Sequence, residues 1–450
     1  MSFPQYSAYK DSGVEWLEEV PEHWQSIPFK YIADFVNGMA FKPEQWSEVG
    51  VPIIRIENLN NGEDFNFYVG QVASRYHVNT GELLFGWSGN RGTSFGPFLW
   101  KRNGLHYLNQ HIFRIVYFKC DKKWLYWTLR AVTKTIEDQA HGIIGMVHVT
   151  KGKLGGVKIP AIPLREQTQI ARFLDHETAR IDALIEEQQR LIELLKEKRQ
   201  AVISHSVTKG LDPSAPMKDS GVEWLGAVPA HWDVVPTNYR YEIQLGRMLN
   251  EQRAQGDHLK PYLRVFDVQW NAINTTDLPL MDFPPEVQSM YRLKSGDLMV
   301  NEGGSYVGRS AIWRGDLDEC YYQKALHRLR PRDLKRDTAE FFLHVMEMAT
   351  QQGVFVAGGN QTTIDHLTAE QLRQYRFAFP PLEDQVHIAE KITAVVSKIQ
   401  NTTSKAEELI GYLQERRSAL ISAAVTGKID VRGWQPPTDA PSPELAKEAV

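Results

Sequence analysis

Two glycine-rich stretches carry the side chains in this chain best suited to chemistry: GWSGNRGTSFGPFLWKRNG from Gly86 to Gly104, and NEGGSYVGRSAIW from Asn301 to Trp313. The first offers Ser88, Asn90, Arg91, Lys101 and Arg102, the second Ser305, Tyr306 and Arg309. Arginine and asparagine pair bidentately with guanine and adenine edges in a major groove, and glycine lets main chain approach a phosphate closely. The chemistry on offer is recognition of nucleic acid, not bond making. A third pair of stretches adds to it. HGIIGMVHVTKGKLGGVKIP, from His141, contributes Lys151 and Lys153, and AGGNQTTIDHLTAEQLRQYRFAFP, from Ala357, contributes the dense polar run Asn360, Gln361, Thr362 and Thr363. All three pairs also have a plainer reading as ordinary turns. His148 and His366, which match 218 positions apart, read better as structural histidines than as catalysts.

No reaction centre accompanies these loops. Pro284-Pro285, Pro380-Pro381 and Pro436-Pro437 lack the neighbours of an amino-methyltransferase signature, and Gly427-Lys428 lacks the upstream glycine of a phosphate loop. The two cysteines, Cys120 and Cys320, have neither disulfide-framework nor zinc-site spacing, which fits a reducing compartment. No stretch approaches the ~20 apolar residues of a membrane span, so a cytoplasmic protein without membrane contact is expected. The formal charge of −4 gives no overall basic footprint. Locally the balance differs: residues 101–162 carry 11 Lys and Arg against 3 Asp and Glu, so one edge of the first half could face phosphates.

The elements that must hold these loops come in two copies. KDSGVEWL at 10–17 returns at 218–225, and VPEHW at 20–24 returns as VPAHW at 228–232. PLREQTQIARFLD from Pro163 is answered by PLEDQVHIAEKIT from Pro381, and RQAVISHSVTKGLD from Arg199 by RSALISAAVTGKID from Arg417. Both Pro-Leu starts open long segments rich in Ala, Leu, Glu, Gln, Lys and Arg, which predicts two helices of ~60 Å. In the second, Ile388, Ile392, Val395, Ile399, Thr402, Ala406, Leu409, Leu413, Arg416, Leu420 and Ala423 step by fours and threes, as a coiled-coil seam does. The matching seam in the first is Ile170, Leu174, Glu177, Ile181, Leu184, Gln188, Leu191, Leu195, Lys198, Val202 and His205. Antiparallel pairing about the helix midpoints would bring Glu177 near Arg416 or Arg417.

The expected fold is therefore α+β: two similar recognition domains joined by two long helices forming an antiparallel coiled coil, a pseudo-twofold tandem repeat. The boundaries expected are 1–162 for the first domain, 163–212 for the central helix and linker, 213–380 for the second domain, 381–432 for the distal helix, and a disordered tail over 433–450. One helical stretch is predicted in each domain, near 122–138 and 338–352.

The order YKDSGVEWL, VPEHW, a variable stretch, a PLREQ-type helix start, then all of it again, closely resembles the specificity subunit of type I restriction-modification systems. The resemblance spans residues 9 to about 432, with PLEDQ a mild departure from the usual PLxEQ. It implies two target recognition domains, each binding one half of a split double-stranded DNA site. It implies as partners two modification (methyltransferase) subunits and further restriction subunits, and no catalysis by this chain. No cofactor is expected here; S-adenosylmethionine, ATP and Mg belong to those partners. The reading loops differ between the copies, so an asymmetric bipartite site is expected. The rival from another class is a coiled-coil protein adaptor without direct DNA readout, which accounts better for the acidic balance.

Overall fold

The computed structural model describes residues 3–60, 62–139, 146–248, 254–355 and 366–437. Short apolar runs form the same antiparallel sheet twice. In the first copy the strand order is Gly96–Leu99, Leu83–Gly86, Ile112–Val116, Asp34–Asn37; in the second it is Ser310–Ile312, Leu298–Asn301, Leu326–Pro331, Tyr241–Leu245. The pleat sends alternate side chains to opposite faces. Leu83, Phe85, Phe113 and Ile115 therefore join the main core of the first copy, while Leu84 and Ile112 join a smaller one behind. Leu298, Val300 and Leu329 divide from Met299 and Leu326 in the same way. A second sheet covers the rear face in each copy. It is built around Val51–Ile54 running parallel to His106–Leu108, and around Leu259–Leu263 running parallel to Tyr321–Tyr322.

Four helices matter to the argument: α1 (Lys122–Gln139), α2 (Leu164–Lys209), α3 (Ala339–Gln351) and α4 (Leu382–Val425). At 46 and 44 residues, α2 and α4 are ~69 and ~66 Å long. The chain divides into two compact units. One comprises the residues up to Gln189 together with those from Glu407 onward; the other is Arg190–Ala406. Each unit thus owns half of each long helix. In the first, Ile170, Phe173 and Leu174 of α2 share a core with Ile421, Ala424 and Val425 of α4. In the second, Ile203 and Val207 share a core with Ile388 and Ile392. The beginning of one helix meets the end of the other in both, so the pair is antiparallel.

The register departs from expectation. Arg417 Nε lies 3.0 Å from Asp182 Oδ1, whereas Glu177 is taken up locally by His176 and Arg180 at 3.1 and 3.2 Å. The seam also drifts. Leu184, Leu191 and Leu409 are exposed, at 45%, 36% and 42%, and their neighbours Ile185 (half-buried), Ile192 and Ile410 (half-buried) are the more inward positions, while Ala406 is buried as the seam requires. A strict 3.5-residue repeat slips ~20° per heptad round a helix of 3.6 residues per turn. Near its ends each helix also follows the face demanded by the globular core rather than by the other helix. Ile170, Leu174, Ile181, Ile388, Ile392, Ile399 and Leu413 are buried as expected, and Leu195, Val202, Val395 and Leu420 are half-buried.

The duplicated letters now have a physical reason. In KDSGVEWL, Asp11 Oδ1 accepts from Gly13 N at 2.9 Å and Ser12 Oγ from Val14 N at 3.1 Å; Asp219 and Ser220 repeat both bonds to Gly221 and Val222, at 3.0 and 3.1 Å. These turns close small hairpins, Tyr9–Asp11 on Glu19–Pro21 and Met217–Asp219 on Ala227–Pro229. Each hairpin sets a Pro and a buried Trp against the glycine that ends a long helix. Pro21 and Trp24 meet Gly427 after α4, and Pro229 and Trp232 meet Gly210 after α2. Both glycines take positive φ, +78° and +77°, which L side chains resist. Tyr9 Oη donates to Gly427 O at 3.1 Å, and Asp430 N donates to Pro4 O at 2.7 Å.

The glutamine of each PLxxQ start ties its helix to the domain before it. Gln167 accepts from Asp121 N at 2.7 Å and donates to Ile162 O at 2.8 Å. Gln385 accepts from Thr338 N at 3.0 Å and donates to Pro380 O at 2.9 Å and Arg336 O at 3.0 Å. Beyond Arg432, Trp434 packs edge-on against Phe173 at 5.3 Å, and its carbonyl accepts from Gln169 at 2.7 Å. The first residues of the stretch expected to be disordered are therefore held in place. Those from 438 onward lie outside the described residues.

Candidate nucleic-acid interface

Two loops distant in sequence are joined in the same way in both units. In the first, Ser88–Asn90 pairs antiparallel with Met146–His148, and Trp87 bridges outward, its N donating to His111 O at 3.2 Å and its O accepting from Val149 N at 2.9 Å. In the second, Gly303 bridges His366, with Glu302 N donating to Ala325 O at 3.0 Å and Glu302 O accepting from Leu367 N at 2.6 Å. Residues 146–149 and 366–367 are thus set beside the glycine-rich loop of their own unit. The matched histidines are the hinge of that pairing: His148 lies edge-on to Trp87 at 4.7 Å, and His366 stands near Glu302, whose carboxyl is raised by burial.

The predicted contact residues divide into four groups. Asn90 and Arg91 are exposed on a turn that Asn90 O closes by accepting from Ser94 N and Phe95 N, each at 3.2 Å. Gly92, at φ +69°, donates its N–H to Glu137 of α1 at 2.9 Å and so fixes the turn to the helix. Ser305, Tyr306 and Arg309 hold the corresponding turn of the second unit, and Ser305 is exposed. Of these five, Asn90, Arg91 and Ser305 are exposed and Tyr306 and Arg309 are half-buried.

Three others are tied into the fold through their side chains and a fourth, Lys153, through its main chain. Ser88 is 4% exposed, with its Oγ turned to the Met146 sulfur at 3.9 Å. Arg102 donates to Gly62 O at 3.0 Å and lies 4.9 Å from the Phe65 ring centre, pinning the 62–65 loop. Lys151 Nζ donates to Phe35 O at 2.6 Å, and Lys153 N donates to Thr150 Oγ1 at 3.2 Å at the cap of a short helix, although both side chains remain exposed. Lys101 is exposed too. It sits with Arg102 at the far end of the strand Gly96–Leu99 from Arg91, on a groove of about 480 Å³ that also takes in Lys123, Asp175, Asp182 and Arg417. Asn360, Gln361, Thr362 and Thr363 lie outside the described residues.

Sequence reasoning missed a matched pair of arginines. Arg55 follows the strand Val51–Ile54 and lies 4.9 Å from the Trp46 ring; Arg264 follows Leu259–Leu263 and lies 4.1 Å from the Phe266 ring. Each opens a helical turn closed by the residue three along, Arg55 N to Asn58 Oδ1 at 2.9 Å and Arg264 N to Asp267 Oδ2 at 2.8 Å. The alignable runs VPIIRIEN and PYLRVFDV were the available signal. Next to the second pair, Gln269 Nε2 donates to Phe266 O at 2.8 Å and its Oε1 accepts from Arg309 Nη1 at 2.6 Å. Among the described residues, no group of three or more His, Cys, Asp or Glu is arranged to hold a metal ion, and no helix is long and apolar enough to cross a membrane.

A doubled domain with divergent exposed turns has the build of a two-part reader, and the family comparison is decisive: residues 21–195 and 244–410 both match the type I restriction modification DNA specificity domain. The chain belongs to that family. Among relatives of the type I specificity family, the EcoBI specificity subunit of Escherichia coli is 22% identical over 97% of this chain and 91% of its own length. The MjaVIII specificity subunit of Methanocaldococcus jannaschii is 23% identical over 94% and 97%. A solved structure described under assembly and conformational transition of the type I R-M system superposes with a TM-score of 0.67 at 14% identity, covering 90% of this chain and 98% of that one. The HsdS subunit of Thermoanaerobacter tengcongensis gives 0.55 at 16% identity, covering 91% and 98%. At these identities the two structures speak for the specificity-subunit fold alone.

Proposed function

We propose that this chain selects the DNA sequence for a type I restriction-modification complex, each unit binding one half of a bipartite site in double-stranded DNA. The observation that carries this is the repeated surface. One scaffold is built twice, down to the Trp87 and Glu302 bridges, yet it presents different turns, Asn90 to Phe95 in one copy and Gly304 to Arg309 in the other. Two unlike readers on like frames select an asymmetric site, whereas identical readers would select a palindrome.

The chain itself contributes binding and spacing, not catalysis. Methyl transfer and cleavage fall to modification and restriction subunits, which bring S-adenosylmethionine, ATP and Mg in a cytoplasmic assembly. Two modification subunits have apolar helix surface to dock on. Leu184, Leu409 and Tyr412 are 45%, 42% and 60% exposed in the first unit, and Leu191 and Leu194 are 36% and 52% exposed in the second. Surface of this kind on a helix supports a partner. The slightly acidic balance implies that the duplex is held tightly only when the modification subunits add their own charge.

The test is sequence-resolved methylation mapping of DNA from cells expressing this chain with the modification subunit of its system. A split motif with two unlike halves and a fixed gap is expected. Methylation without such a motif, or a motif unchanged when the 213–380 segment is replaced by that of a relative, would refute the role.

A further inference from the structure

Where the glycine-rich loop of the second unit meets the loop at residues 265–269, a group of polar and aromatic side chains is locked together outside the core. The Arg309 guanidinium lies 4.6 Å from the Tyr306 ring centre, and its Nη1 donates to Gln269 Oε1 at 2.6 Å. Among the described residues, only Nη1 of that guanidinium takes part in a hydrogen bond. Gln269 is held in turn by donating to Phe266 O at 2.8 Å, and the Phe266 ring is 52% exposed beside it. Below them Asn301, fully buried, joins both loops. Its Nδ2 donates to Val268 O at 3.0 Å, its main-chain N donates to Arg309 O at 2.9 Å, and its O accepts from Gly308 N at 3.0 Å. The matching residue of the first unit is Gly86, which has no side chain with which to make that tie.

A surface arginine that serves only as a charge needs none of this. A phosphate can be held by a mobile cation such as lysine as well as by an arginine fork, so a phosphate contact does not require the fork to be held in place. Here the Arg309 guanidinium is held between the Tyr306 ring and the Gln269 side chain, which together limit how its remaining donors can turn. A planar fork held in this way matches the paired acceptors O6 and N7 on the major-groove edge of guanine. The neighbouring exposed Phe266 offers apolar contact of the kind a thymine methyl takes.

Resting on the DNA-selecting role proposed above, we infer that Arg309 reads one guanine of the half-site bound by the second unit, with Gln269 as its positioning residue. The test uses the full chain co-expressed with its modification subunit and methylation mapping of every candidate site, comparing Arg309→Lys, Gln269→Ala and Gln269→Glu with the unsubstituted chain. Arg309→Lys keeps the charge and loses the fork. Discrimination should fall on the order of 10-fold to 100-fold at a single position of one half-site, with the other half-site unchanged. Gln269→Ala should relax the same position, and Gln269→Glu, which keeps the acceptor for Arg309 but loses the amide that donates to Phe266 O, should recover it only in part; a merely structural loss would lower methylation at all positions together. Uniform weakening with a shallower salt dependence would make Arg309 a phosphate contact, and an unchanged motif would remove it from the interface. Either result overturns the inference while leaving the DNA-selecting role standing. Absence of any bipartite motif from the unsubstituted complex would overturn both.

Discussion

His327 is a fully buried histidine of the second unit whose ionisation is constrained by its surroundings. Its Nε2 donates to Leu367 O at 2.6 Å, its Nδ1 has no hydrogen-bond partner among the described residues, and burial pushes the imidazole down to about 4. Above pH ~6.5 the histidine is neutral folded or unfolded, and stability is full. As pH falls from ~6.5 toward 4, the unfolded chain takes up a proton that the folded one refuses, and stability drains by up to about 3 kcal/mol. Phe113 stands at the matching place in the first copy. His327→Phe should flatten the pH dependence of the urea midpoint between pH 7 and 4.5, and equal slopes in both proteins would contradict the assignment. Gln385, also fully buried, ties three elements together, so Gln385→Ala leaves Thr338 N and Pro380 O unpaired and should cost about 2–3 kcal/mol by urea titration. A loss within error would show that solvent replaces those bonds. Both glutamines were visible as letters common to the two helix starts, but their bonds were not. Loop composition likewise pointed to Arg91 and Arg309. It could not separate them from Ser88, Arg102 and Lys151, because the direction a loop side chain faces depends on which distant strand or loop the turn is packed against.

The long helices were legible as elements and misread in rotation. Their existence and length follow from composition and from a periodicity sustained over 40 residues, and their antiparallel pairing from the head-to-tail repeat of the two copies. The phase does not, because a step of 3.5 and a step of 3.6 diverge along the helix, and the globular cores override both near the ends. Arg417 consequently meets Asp182, and Leu409, assigned to the seam, is left on the outside. The distinction is testable. Ile392→Ala empties a fully buried position and should cost about 2–4 kcal/mol. Leu409→Ser with Tyr412→Ser should change stability by less than about 0.5 kcal/mol, because both side chains already face water. The same double substitution should weaken co-purification of the modification subunit. Full retention of that partner, with a large loss of stability, would return Leu409 to the seam.

For the molecule as a whole, copy number, order and α+β class were legible, since identical letters at offsets of 208 and 218 survive any change of loop. Which helix end each hairpin seats was not. Proximity in sequence pairs the 218–232 hairpin with Gly210, but nothing local pairs the 10–24 hairpin with Gly427. If the helices set the gap between the half-sites, removing one heptad from each, 186–192 and 404–410, shortens both by about 10 Å, close to three base pairs of rise. The preferred spacer should contract, as read by methylation mapping, and an unaltered spacer would discard the helices as a ruler.

The bond from Asp430 N to Pro4 O, with Gly427 seated on Trp24, has a consequence for how such a polypeptide can be rewired. Residues 211–216, just past Gly210, and the stretch that would bridge residue 437 back to residue 3 do equivalent jobs on the two sides of one closed circuit. A gene that splices 437 to 3 through a short linker and opens the circuit between Asp212 and Ser214 should yield a protein with the same melting profile and the same target, read in the opposite order along its own translation.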